Sequence, residues 1–262
     1  MATGPEEPEE PDEPETGLPA SLQTAWGLRE RPTKGPRPAL TLERIVDAAI
    51  HLAATEGVEA VSMGRVAKQL GSSTMSLYRY VTAKDELYIL MAEAGVGTPP
   101  PATVDPAADW RGAVTEWAYQ QRARLQQNSW ILRIPITGPP ATPNQVAWME
   151  RGLVSLADSG LREGEKLSTL MLIGGLVRNE TTLTADIMDA MIKTGITPDR
   201  MLARYTNTLT LLTDPERHPA VTRLLASGAI GQADAPDAEF AFGLGRILDG
   251  LEVLIDGRAA AG

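Results

Sequence analysis

Ser73, Thr74, Ser76, Tyr78 and Arg79 crowd hydroxyls and a cation into one short stretch, a set of groups suited to phosphate oxygens and base edges. Little else in the chain offers chemistry at that density. Asp186 and Asp189 share a helical face, with Asn179 and Glu180 a turn or two earlier, and paired carboxylates can hold Mg²⁺ for diphosphate chemistry. They lack a dense aspartate box and a basic cluster for the leaving group, so a solvated helix face is the better reading. Gly-x-Ser-x-Gly is absent, and neither His51 nor His218 sits in a catalytic motif. Gly243-Leu244-Gly245 is half of a dinucleotide fingerprint with no strand before it. There is no cysteine, which excludes disulfides and thiolate metal sites. The expectation is no enzyme, no cofactor and no metal site.

The hydroxyls need a rigid frame. Val66, Ala67 and Leu70 share one helical face, Gly71 supplies a tight turn, and Leu77 and Tyr80 give a second short helix its inward side. Ala67 and Gly71 are small where two helices cross, and a left-handed turn residue is cheapest as glycine. Ser73 is placed to cap the second helix. Thr74, Met75 and Ser76 then fall in its first turn, where base edges are closest in a major groove about 12 Å wide, and Met75 suits a thymine methyl. Tyr78 and Tyr80 offer hydroxyls to phosphate, although Tyr80 also reads as an inward-packed residue. Lys84 opens the next helix, where backbone N–H groups already favour an anion, and Ser62 and Arg65 precede the turn within reach of neighbouring phosphates.

The flanks complete a pattern. Thr41–Gly57 carries Leu42, Ile45, Val46, Ala49 and Ala53 at helical spacing, followed by Val61-Ser62 and by SMGRVAKQLGSSTMSLYRYVTAKDEL from Ser62 to Leu87. This order resembles the N-terminal domain of the TetR family of bacterial transcription regulators. Ser72 stands where that family usually has an aliphatic residue, and Val81 where phenylalanine is common. The resemblance implies DNA contacts by Thr74, Met75, Ser76, Tyr78, Tyr80 and Lys84.

Beyond Asp109, helical segments are predicted at 110–128, 144–159, 163–193, 198–213, 219–226 and 237–258, separated by Pro and Gly. Asp109-Trp110-Arg111 at the start, Ala238-Glu239-Phe240-Ala241-Phe242-Gly243-Leu244 and Asp249-Gly250-Leu251-Glu252 at the end resemble the tetracycline-repressor type of C-terminal domain. The expected fold is all-α, an N-terminal three-helix helix-turn-helix DNA-binding domain plus a larger helical ligand-binding and dimerisation domain. Its expected divisions are a disordered acidic Pro-rich leader (1–28), a basic arm (29–40), the helix-turn-helix domain (41–97), a linker (98–108) and the ligand-binding and dimerisation domain (109–258).

The net charge of −10 belongs largely to that leader, through Glu6, Glu7, Glu9, Glu10, Asp12, Glu13 and Glu15. Arg29, Arg31, Lys34 and Arg37 follow, either as an arm along the DNA backbone or minor groove or as a solvated linker. No apolar run reaches the roughly 18–20 residues needed to span a bilayer, and the N-terminus is acidic where a secretory signal is basic. A cytoplasmic protein with no membrane contact is expected.

The resemblance also implies a homodimer on a palindromic double-stranded operator, joined through helices 163–193 and 237–258. Leu167, Leu170, Met171, Gly174, Gly175 and Val177 form one apolar stripe, and Phe240, Leu244, Ile247, Leu248, Leu251 and Leu254 another; both also read as the chain's own core. Close helix approach is a reason to keep Gly174, Gly175, Gly243 and Gly245. A small-molecule effector is expected among Trp117, Tyr119, Gln120, Gln121, Trp130, Trp148, Met149, Arg178 and Asn179, an apolar set with a few polar anchors. Its binding would move the helix at 84–95. Tetracycline repressors hold a magnesium–drug chelate partly through histidines, and the corresponding stretches here have none, which favours a metal-free, mostly apolar effector. The expected function is a ligand-responsive transcriptional regulator, a repressor because occupancy alone blocks a promoter. The alternative is a non-DNA-binding helical protein-interaction module that uses the acidic leader; steep salt dependence of duplex binding separates the two.

Overall fold

The computed structural model describes residues 18–28, 40–231, 235 and 237–259, and every regular element among them is a helix. The helices are α1 (Ala20–Ala25), α2 (Leu42–Glu56), α3 (Met63–Gln69), α4 (Thr74–Tyr78) and α5 (Lys84–Val96). They continue as α6 (Trp110–Gln127), α7 (Pro143–Ser155), α8 (Glu163–Thr194), α9 (Pro198–Leu212), α10 (Pro219–Ala226) and α11 (Ala238–Ala259). Short 3₁₀ turns occupy Val58–Ala60, Ser129–Arg133 and Ala229–Gly231. Among the described residues no helix is long and apolar enough to cross a membrane. Residues 1–17 of the acidic leader, and Arg29, Arg31, Lys34 and Arg37 of the basic arm, lie outside the described residues.

Two units are present. One takes residues up to Thr98 together with Arg133–Trp148, and the other takes Pro99–Leu132 with the residues from Met149 onward. The expected division at 97/98 therefore misses residues 133–148. It also misses the role of the expected linker, since the Thr103 hydroxyl and amide donate to Glu116 at 2.6 and 3.1 Å within the second unit.

In the first unit, Thr41 caps α2 by accepting the Arg44 amide at 3.2 Å, and Gly57, with φ of 93°, ends it. Ile45, Val46, Ala49, Leu52 and Ala53 bury the inner stripe of α2, against which α3 and α5 pack. At the turn after α3, the Ser72 amide reaches the Ala67 carbonyl at 2.9 Å while Gly71 holds φ of 62°. A Cβ on Gly71 would meet nothing within 4 Å, so its dihedral, and not crowding between helices, is what calls for glycine there.

The disorder expected of residues 1–28 fails over 18–28, where α1 packs against α5 with Ser21 and Gln23 buried. The Thr24 hydroxyl donates to Glu86 Oε1 at 3.0 Å, and Trp26 Nε1 donates to the Ala141 carbonyl at 2.8 Å. A local reading of composition could not see these partners, which lie far along the chain.

In the second unit, Asp109 caps α6 through the Gly112 amide at 2.7 Å, and α8 packs against α6 and α11. Arg122 is the polar knot of this packing. It grips both oxygens of Glu180 at 2.8 Å and Asp237 at 2.5 Å, and lies 4.8 Å from the Phe240 ring centroid, which Tyr119 meets edge-on at 5.0 Å. A Cβ on Gly152 would meet Leu170 and Trp117 at 2.8 Å each, so α7 approaches them on bare backbone. Helix α9 buries none of its residues and packs with α10 and the Ala229–Gly231 turn.

Candidate DNA-reading face and effector residues

Helix α4 is five residues long, and its geometry follows from a few anchors. Leu77 and Val81 are fully buried, which fixes the helix against the rest of the unit. Ser73 caps it as the sequence suggested, accepting the Ser76 amide at 3.3 Å, with the two hydroxyls 2.9 Å apart. That arrangement turns Met75 (75% exposed), Tyr78 and Arg79 outward, with Thr74 and Ser76 half-buried at their edge. Lys84, exposed at the first position of α5, places its ammonium 4.9 Å from the Tyr88 ring centroid. Glu86 braces this corner, its Oε2 accepting the Thr82 amide at 2.6 Å and the Thr82 hydroxyl at 2.7 Å.

Two of the expected DNA contacts are otherwise engaged, and a third also serves as a helix cap. Tyr80 is half-buried and donates its hydroxyl to the Leu40 carbonyl at 2.9 Å, so it holds the base of α2 in place of a phosphate. Arg65 meets both oxygens of Glu56 at 2.6 Å, and this guanidinium holds the Glu56 carboxyl below its usual range. Ser62 accepts the Arg65 amide at 3.3 Å as the cap of α3, which leaves its hydroxyl proton free for another acceptor.

The expected effector residues separate. Trp148 belongs to the first unit, where it is buried and donates to the Gly97 carbonyl at 2.9 Å. Asn179 is exposed on α8. The second unit holds Trp117 and Trp130 buried, with Gln120, Gln121, Met149 and Arg178 half-buried. Among the described residues no three His, Cys, Asp or Glu side chains group in a way that could hold a metal ion.

The two apolar stripes also divide. Leu170, Val177, Phe240, Leu244 and Leu248 are buried in the chain's own core and cannot serve as interface. Leu167, Met171 and Leu254 are exposed, joined by Leu172, Phe242 and Val253, which lie outside the two expected stripes. A Cβ on Gly243 would meet Leu176 at 3.1 Å, whereas Gly174, Gly175 and Gly245 face open space within the chain.

Residues 45–91 match the family described as bacterial regulatory proteins, tetR family, and residues 102–255 match tetracyclin repressor-like, C-terminal domain. The chain belongs to the TetR family. Among its relatives in this family, the HTH-type transcriptional repressor DrrR1 of Streptomyces coeruleorubidus is 35% identical over 237 residues, which is 90% of this chain and 86% of that protein. The TetR-family protein ActR of Streptomyces coelicolor shares the fold. Its apo structure gives a TM-score of 0.70 at 25% identity, over 87% of this chain and 100% of that one. Its complex with actinorhodin gives 0.67 at 26%, over 84% and 99%. As a TetR-family member the chain is a DNA-binding transcription regulator and not an enzyme. Asp186 and Asp189 accordingly lie exposed on α8 with no catalytic part to play.

Proposed function

We propose that this TetR-family chain is a ligand-responsive repressor that binds a palindromic operator as a homodimer and leaves it when a small molecule binds. The observation that carries the DNA reading is the outer face of α4: with Leu77 and Val81 buried, Met75, Tyr78 and Arg79 are held outward together, next to Lys84. Thr74, Ser76 and the cap Ser73 belong to the same helix end, and the Ser62 hydroxyl at the start of α3 is a further phosphate donor. Repression follows the DrrR1 relative, which is a repressor by name.

Dimerisation is supported by Leu167, Met171, Leu172, Phe242, Val253 and Leu254, large apolar residues left in water by one chain, and by the uncrowded Gly174, Gly175 and Gly245. Two half-sites then raise affinity through effective concentration. The effector reading draws on ActR, whose structures hold (S)-DNPA and actinorhodin. On this chain the effector contacts are Trp117, Gln120, Gln121, Trp130, Met149 and Arg178, and the compound is largely apolar and bound without metal. The protein acts in the cytoplasm, beside its operator.

Random-duplex enrichment followed by anisotropy titration tests this. A palindromic winner that the Tyr78→Ala, Lys84→Ala double variant no longer binds is the expected result, with a complex mass of two chains per duplex. No enriched duplex at low salt would overturn it and leave a protein-interaction module in its place.

A further inference from the structure

Arg178 differs from the other cations that burial reaches in the second unit. Arg122 faces Glu180 and Asp237, Arg151 faces Glu116 at 3.0 Å, and Lys166 faces Glu163 at 2.8 Å. Arg178 donates Nη2 to the Leu132 carbonyl at 3.1 Å, a neutral acceptor, and no carboxylate of the described residues pairs with it. Burial lowers its pKa from the ordinary arginine value with nothing of opposite charge to offset that. The Leu132 carbonyl comes from the 3₁₀ turn whose Trp130, Ile131 and Leu132 are all buried. A guanidinium partly withdrawn from water gains from an anion that reaches it.

A second polar group in the same unit is unmatched. Gln120 donates Nε2 to Glu116 at 3.1 Å, yet its Oε1 is buried with no hydrogen-bond partner. An acceptor in that state calls for a donor. Gln120 and Arg178 sit on α6 and α8, which pack against each other.

We infer that the effector is an anion: an apolar body bearing a carboxylate or an ionised phenol that pairs with Arg178, with a hydroxyl donor for Gln120 Oε1. This rests on the effector reading above and narrows it, since a wholly apolar compound would leave the Arg178 charge unanswered. A planar guanidinium answers such an oxyanion with two parallel N–H bonds.

The test uses two fluorescent probes that share one aromatic body, 8-anilinonaphthalene-1-sulfonate, which is anionic, and N-phenyl-1-naphthylamine, which is neutral. Each is titrated into the full-length protein and into Arg178→Met and Arg178→Lys. The anionic probe should bind the unaltered protein about tenfold tighter than the neutral one, a difference of about 1.4 kcal/mol. Arg178→Met should remove that preference while neutral-probe binding persists, which also shows that the variant is folded, and Arg178→Lys should retain most of it. Equal binding of both probes overturns the anion assignment and leaves the effector site standing. Binding of neither probe overturns the effector site and this inference with it. A loss of dimer mass by Arg178→Met in sedimentation would also overturn it, because the missing anion would then be a carboxylate of a second copy.

Discussion

The Thr24 hydroxyl and the Glu86 carboxylate, 62 residues apart, meet at 3.0 Å and pin the short first helix to the start of the helix that carries Lys84. Glu86 is buried and also accepts from the Thr82 amide and hydroxyl, so losing Thr24 takes one donor away from a buried carboxylate. Thr24→Val should cost about 1–2 kcal/mol, and deletion of residues 1–28 should cost more because Ser21 and Gln23 also leave. Thermal unfolding measures both, with a fall in Tm of about 2–4 °C per kcal/mol. An unchanged Tm on deletion would show that the Thr24 contact carries no stability.

Tyr80 and Lys84 predict opposite signatures in a salt titration. Tyr80→Phe keeps the ring and loses the Leu40 bond, so stability should fall by about 1 kcal/mol while the slope of log K against log salt stays where it was. Lys84→Ala should instead flatten that slope by about one phosphate's worth and barely move stability. A reversed pair of outcomes would place the tyrosine on the DNA.

Arg122 tests the interior of the second unit. Arg122→Leu leaves Glu180 without its bidentate partner in a largely buried setting, and a loss of about 3–5 kcal/mol is expected. The Glu180→Gln, Arg122→Leu double variant should recover part of that loss, since the stranded charge is then gone. Chemical denaturation of the single and double variants reads the difference.

Gly152→Ala adds one methyl where Trp117 and Leu170 already stand 2.8 Å from the new atom. Both are buried, so the neighbours must shift, at a cost of about 1–3 kcal/mol. Near-ultraviolet circular dichroism should register the disturbed indole, and an unperturbed spectrum with unchanged Tm would count against the close approach.

Acid should weaken the second unit through Glu165. Arg258, and after it Arg162, hold this carboxyl below its ordinary value of 4.5. A depressed carboxylate contributes stability that is fully present above the unfolded-state pKa, and the contribution is lost as pH falls below about 4.5 toward the folded value. Glu165→Gln should flatten the pH dependence of stability below pH 4.5 and leave its shape between pH 6 and 8 unchanged.

Much of the architecture was legible because it is written in helical periodicity and stop signals. The stretch expected at 163–193 is α8, Glu163–Thr194, and the one expected at 198–213 is α9, Pro198–Leu212, each opened or closed by Pro or Gly. Helix α1 was not legible. Its six residues, ASLQTA, carry no amphipathic period of their own, and they follow an acidic Pro-rich run; what orders them is Glu86, far along the chain. Tyr80 was ambiguous for a reason of chemistry, since an aromatic ring with a polar tip fits an inward or an outward site equally well. Arg122 sits in QQRARLQQ, a polar run that reads as solvated surface, and its counter-charges come from 58 and 115 residues away. The half-buried Gln120 and the buried Trp117 stand out by type alone, and nothing local distinguishes an effector contact from core.

Residues 133–148 have a consequence for anyone who would exchange the DNA-reading half of this protein for another. Asn144 donates its amide to Glu93 and its side-chain nitrogen to the Glu93 carbonyl, Trp148 bonds Gly97, and Ala141 receives Trp26. That half is thus assembled from two separate pieces of chain. A hybrid spliced at residue 98 would pair a borrowed head with native residues 133–148, and the hydrogen bonds that close the end of α5 would fall between sequences that never evolved together. A viable graft must carry both pieces, and the helix that begins at Pro143 has to be recut inside its own length.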